Sequence, residues 1–184
     1  APVARPHMTA LSEATGETIH LAQLDGPHVL YLDKRDAARR VTMFSEAGKV
    51  GPAYCTGVGK AMLAHLPDGE LQRILPQQSF HRFTPSTICS QEELTRELVQ
   101  IRRDGFALDR EDHEPGIICV AVPVLSGSRQ MIGAISITST SARTSLGKLK
   151  KFVPDLQKAA SAIATAAEYW RFPDNHETPE EMEI

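Results

Sequence analysis

The sequence predicts an α+β domain with a mainly antiparallel sheet, and three observations carry that expectation. Strand-like segments come in runs: Glu17–Leu24, Val29–Asp33 and Val41–Ser45 early in the chain, then Phe106–Asp109, Ile117–Leu125 and Gln130–Thr138 late in it. The last two are joined only by Ser126-Gly127-Ser128-Arg129, too short a connection for anything but a hairpin. Regular strand–helix–strand alternation, the mark of a doubly wound parallel sheet, is missing.

Met8, Leu11 and Thr15, at spacings of three and four, make a short amphipathic helix closed by Gly16. In the first strand Ile19, Leu21 and Gln23 share one face; Asp25-Gly26-Pro27 is a turn, and the next two strands complete a meander. Thr56-Gly57-Val58-Gly59-Lys60 leads into a buried helix of Ala61, Met62, Leu63, Ala64 and Leu66, stopped by Pro67. A second short helix spans Gly69–Leu75 and ends at Pro76, and 79–89 is a loop. Ser90 followed three residues later by Glu93 is a capping box, opening a helix with Leu94, Leu98 and Ile101 on one stripe and Gly105 at its end. Arg110–Gly116 is a charged turn, and Ile117–Leu125, apolar on both faces, is a central strand. From Leu146 to Trp170 the apolar residues alternate steps of three and four, a long helix with one packed seam and a kink at Pro154.

The 184 residues, 41% hydrophobic and 23% charged, are enough for one domain with its own core. The longest apolar run, Ile117–Leu125, is half of the ~20 residues a spanning helix needs, and no basic-then-apolar leader opens the chain. Cys55, Cys89 and Cys119 are an odd number, far apart, and read as reduced thiols of a cytoplasmic protein. The net charge of −3 gives no support to nucleic-acid binding by this chain. Residues 173–184 hold five acids and no Lys or Arg, which predicts a solvated, poorly ordered tail.

A polar site follows from strand register. With Leu125 opposite Gln130, Cys119 lies opposite Ser136 and Ile117 opposite Thr138, so period two puts Cys119, Ser136 and Thr138 on one face. If the preceding turn is also a hairpin, Asp109 joins them, although a one-residue slip would remove it. Such a cluster is either satisfied internally or waits for a ligand, because an unpaired buried polar group costs about 1–3 kcal/mol. Thr56-Gly57-Val58-Gly59 is the complement: glycines at a helix start leave N–H groups uncovered for an anion. Equally, small residues there serve close packing, and GxGK without a preceding GxxxxG is not a phosphate loop. A carboxylate at Gly57 and Val58, its other end held by Asp109, Cys119, Ser136 and Thr138, is the ligand these groups suit.

These segments together resemble the effector-binding domain of the IclR family of bacterial transcription regulators. The resemblance runs from Arg5 to about Pro173 and is most specific in Pro52-Ala53-Tyr54-Cys55-Thr56-Gly57-Val58-Gly59-Lys60-Ala61-Met62-Leu63-Ala64, in Leu108–Val124, and in Ala134-Ile135-Ser136-Ile137-Thr138. It implies a GAF-like fold that binds a small organic acid (a 2-oxo, sugar-derived or aromatic acid) between Gly57 and Val58 and the sheet positions Asp109, Cys119, Ser136 and Thr138. It adds Met43 as an apolar wall, and Thr138 stands where some relatives have Ser. It implies a linker helix over 1–16 and an effector domain over 17–172. Family members carry an N-terminal winged helix-turn-helix that this chain lacks, so DNA is expected as a partner only through that missing part. The expected protein is a cytoplasmic homodimer or tetramer, repressor or activator, without cofactor, metal or enzymatic activity, in which the acid shifts the assembly's population of arrangements.

Three other readings use the same residues. A thiol hydrolase would need Cys119 or Cys55 as nucleophile and His113 as base, yet neither thiol has an evident activator. A metal site would draw on Glu111, Asp112, His113, Glu114 and Cys119, although such a run is more often a solvated turn. A small-molecule sensor that never touches DNA is the third.

Overall fold

The computed structural model describes residues 1–171, so the acidic tail expected over 173–184 lies outside the described residues. The elements are α1 (Arg5–Thr15), β1 (Thr18–Asp25), β2 (His28–Arg35), β3 (Val50–Pro52), α2 (Gly57–Leu63), α3 (Asp68–Ile74), α4 (Gln91–Asp104), β4 (Ala107–Arg110), β5 (Ile117–Leu125), β6 (Met131–Thr140), α5 (Leu146–Lys150) and α6 (Val153–Arg171). The strands form one sheet in the order β3-β2-β1-β6-β5-β4, every pair antiparallel. Gly16 and Gly105 close α1 and α4 in the left-handed conformation, and Ser90 accepts from the Glu93 N–H.

The two faces of the sheet differ in side-chain size, and that difference makes the site. Ile19, Leu21, Ile118, Val120, Val122, Ile135 and Ile137 fill one face and pack on Met8 and Leu11 of α1 and on the seam Leu149, Val153, Leu156, Ala160 and Ile163. Each such side chain contributes about 1.5–3 kcal/mol by leaving water. The opposite face carries Ala22, Ala107, Ala121 and Ala134, and its low relief lets α2 lie close against it. α2 is buried along its whole length, between the sheet and α4.

Three sequence expectations need correction. Val41–Ser45 is not a strand: β2 pairs instead with β3, and residues 36–49 run as an irregular strap in which Met43 alone is buried among 41–45. The alternation of Val41 and Met43 reflects one inward-pointing side chain, not a ladder. The β5–β6 register is displaced by two residues, so that Cys119 opposes Thr138 and Ala121 opposes Ser136. The turn closes through Ser126 N–H to Gln130 O with Arg129 left-handed (φ 62°), and a bulge beside Val124/Leu125 adds a second residue. One slip would have reversed the faces; two restore them. Finally, α5 and α6 are separate helices, with Pro154 in the first turn of α6, where its missing N–H costs nothing.

β4 covers only Ile118–Ala121, and among the described residues no strand pairs Val122–Leu125 of β5 on that side.

Candidate functional site

The N-terminus of α2 lies over the part of the sheet where β1, β4, β5 and β6 present their polar residues, and a small cavity lies between. All seven residues expected at the site line it: Met43, Gly57, Val58, Asp109, Cys119, Ser136 and Thr138. The Asp109↔Cys119 and Cys119↔Thr138 pairings set thiol, carboxyl and hydroxyl side by side. Ser136 and Thr138 hydroxyls lie 3.5 Å apart. Gly57 sits directly over this patch, since a Cβ there would come within 2.3 Å of Cys119 Sγ and 3.4 Å of the Ala121 Cβ. Thr56 caps α2 through the Gly59 N–H, and among the described residues the Gly57 and Val58 N–H groups donate to no oxygen.

Residues that sequence reasoning missed complete the walls: His20, Tyr31, Phe44, Ser45, Thr56, His113, Glu114 and Ile117. His20 is 2% exposed, with Nδ1 3.3 Å from Thr138 Oγ1 and Nε2 2.8 Å from Ser45 Oγ. Its placement was half legible, because putting Ile19 and Leu21 on one face puts His20 on the other. The pairing of His20 with Ser136 joins residues more than a hundred apart and leaves no local trace. The strap closes the top: Met43 enters, the Phe44 N–H donates to Glu114 Oε1 at 2.6 Å, and Lys34 Nζ holds Glu46 at 2.7 Å. Phe44 stands edge-on to His113, which in turn meets Phe83. The enclosed space is about 30 Å³, room for a few waters only.

Below the cavity the turn after β4 is held from inside. Lys60, fully buried on α2, donates to Asp112 Oδ2 (2.6 Å), Glu97 Oε1 (2.7 Å) and the Leu108 carbonyl (2.7 Å). Thr84 and Thr87 donate to the carbonyls of Glu111 and Asp112, so the loop over 79–89 clamps the same turn. Arg110–Gly116 is therefore not the solvated turn its charges suggest. Its acids point apart: Asp112 to Lys60, Glu111 to the Gly116 N–H, Glu114 to the Phe44 N–H. Among the described residues no group of three or more His, Cys, Asp or Glu is arranged to hold a metal ion.

No Lys or Arg is among the described residues lining the cavity, and burial disfavours the charged forms of Asp109, His20 and Cys119 there. Burial, then the nearby Asp112 charge, raises Asp109 to about 7, with Lys60 and the Asp112 N–H pulling the other way. Burial, reinforced by Lys34, lowers His20 to about 4. Burial pushes the Cys119 and Cys55 thiols up, and Asp109 adds to both, so neither is a ready nucleophile.

The Asp109 proton has a consequence for stability. Because the folded value lies above the ordinary 3.8, its contribution is fully present below pH 4 and lost as pH rises through about 7. His20 works oppositely, its contribution falling away as pH drops from 6.5 towards 4. Asp109→Asn isolates the first effect: denaturant titrations should show the wild type losing about 2–4 kcal/mol relative to the variant between pH 4 and 8. A constant difference would refute the proton at Asp109.

The model of the bacterial transcriptional regulator IclR C-terminal domain matches residues 1–165. The chain belongs to the IclR family. This IclR-type domain is 36% identical over 166 residues to the HTH-type transcriptional regulator XynR of Escherichia coli, covering 90% of this chain and 66% of XynR. The crystal structure of the C-terminal domain of E. coli KdgR superposes with a TM-score of 0.81 at 34% identity, covering 91% of this chain and 98% of that one. The inducer-binding domain of the Acinetobacter PobR transcription factor, a double mutant in complex with 3-hydroxybenzoic acid, gives 0.80 at 26% identity over 89% of this chain and 96% of that one. The fold is thus the GAF-like α+β fold of IclR effector domains, and the family is one of transcriptional regulators. The chain spans about two thirds or less of the full-length relatives it matches.

Proposed function

We propose that this chain is the ligand-sensing and oligomerising part of a bacterial transcriptional regulator. It binds a small organic acid in the cavity between α2 and the sheet and thereby controls DNA binding carried out by a winged helix-turn-helix outside this chain. In this reading residues 1–16 connect the two parts, 17–172 form the effector domain, and the protein works in the cytoplasm, where its DNA is. It does so as a dimer or tetramer whose arrangements the acid redistributes. The acid's carboxylate lies against the Gly57 and Val58 N–H groups, its hydroxyl or keto end against Ser136, Thr138 and Asp109, with Met43 as the apolar wall. No catalytic step, metal or cofactor is part of it.

The observation that carries this reading is the convergence of the Gly57 and Val58 amides, the first facing the Cys119 sulfur, and three small polar side chains on one small cavity. Asp109 supports it further, since a carboxyl that keeps its proton near neutral pH donates to an anion instead of repelling it. A 2-oxo, sugar-derived or aromatic acid all satisfy this pattern.

A thermal-shift screen of such acids, followed by calorimetry on the best, tests it. Ser136→Ala removes one hydrogen bond and should weaken binding about threefold to tenfold; Asp109→Ala should weaken it at least as much. Unchanged affinity in both variants, with the fold intact, would overturn the site.

A further inference from the structure

We propose that His20 is a positioning residue that ties the orientation of the Thr138 hydroxyl, and so the occupant of the cavity, to Ser45 on the strap. The inference rests on the binding site proposed above and adds how occupancy reaches the segment that closes it.

Four polar groups form a continuous chain from the sheet to the strap. Ser136 Oγ lies 3.5 Å from Thr138 Oγ1, Thr138 Oγ1 lies 3.3 Å from His20 Nδ1, and His20 Nε2 lies 2.8 Å from Ser45 Oγ. The imidazole is 2% exposed and uncharged at neutral pH, so it carries one N–H and one bare nitrogen. The Ser45 main chain also offers the strap-facing nitrogen an acceptor, so the unliganded ring carries its hydrogen there and Thr138 donates to the other nitrogen. A ligand oxygen that accepts the Thr138 proton leaves Thr138 only its lone pairs for the ring. His20 Nδ1 must then carry the hydrogen, Nε2 is bare, and Ser45 becomes the donor. A ligand hydroxyl that donates to Thr138 sets the opposite order. The tautomer of one buried ring thus reports the ligand's chemistry to the strap.

The strap is the segment able to respond. The cavity, at about 30 Å³, holds no organic acid until Met43 gives way, and Met43 is followed directly by two residues whose contacts help fasten the strap: Phe44 to Glu114 and Ser45 to His20. Methionine, unbranched and flexible, is suited to yielding.

The test uses nitrogen-15-labelled protein with pyruvate and 3-hydroxybenzoate as probes, each added to saturation. Shifts of the Gly57 and Val58 amides report occupancy alone, and if neither acid moves them the proposed site itself falls, taking this inference with it. With the amides shifted by pyruvate, whose keto oxygen can only accept from Thr138, the His20 nitrogens should show hydrogen at Nδ1 and none at Nε2. Amide exchange at Phe44 should slow at least tenfold on binding. Ser45→Ala should leave the Gly57 and Val58 shifts in place and reduce that slowing to less than twofold, and Ser45→Thr should restore it. Hydrogen at Nε2 in the pyruvate-bound state, or full slowing in Ser45→Ala, would overturn the role of His20.

Discussion

Replacing Lys60 with methionine should destabilise the domain by about 3–5 kcal/mol, lowering its melting temperature by about 10 °C. All three ammonium protons are used, on Asp112, Glu97 and the Leu108 carbonyl, and the nitrogen is shut off from water. Burial works against its charge, yet the two carboxylates outweigh burial and hold the group above its ordinary value. Methionine fills the same channel with no donor. Asp112, itself buried, would keep a charge with no cation, while Glu97, less deeply placed, can turn to water. Asp112→Asn in the Lys60→Met background should therefore recover part of the loss. Thermal and denaturant unfolding of the three proteins measures this. A loss under 1 kcal/mol for Lys60→Met would mean that Lys60 is incidental to the fold.

The second large effect is expected at Gly59. A Cβ there would stand 2.3 Å from the Ala53 carbonyl oxygen and 2.5 Å from the Ala53 Cα, so backbone and not a pliable side chain must yield. The same Cβ presses within 2.6 Å of Thr56 Oγ1, the atom that caps α2. Overpacking of about 3 kcal/mol plus loss of a cap worth about 1 kcal/mol would leave α2 displaced and Gly57 out of place. Gly69→Ala is the matched control: nothing lies within 4 Å of its Cβ position inside α3, and the change should stabilise slightly. Equal melting temperatures for the two variants would contradict the tight seat of α2.

The fold class was legible because its signals are local. The capping box at Ser90, the glycines after α1 and α4, and the short β5–β6 connection each act within a few residues. The placement of the candidate site's residues was legible for a related reason: period two fixes which face a residue occupies even when the register is displaced by two. What could not be read are features made by contacts distant in sequence. Lys60 sits among apolar residues, and nothing nearby announces that Asp112 and Glu97 wait for it. His20 meets Thr138 across β1 and β6, and the strap takes its shape from Glu114, His20 and Lys34, three separate parts of the chain. The chain segment over 41–45 was misread because one buried methionine mimics alternation.

The short reach of β4 has a further effect. An exposed stretch of strand is ordinarily a template on which another molecule's backbone extends the ladder. Here the stretch beyond Ala121 contains Pro123, which lacks an amide hydrogen, and the outermost strand at the other border, Val50–Pro52, is only three residues long and ends in proline as well. Among the described residues both stretches are thereby poor templates for extension by another molecule's backbone.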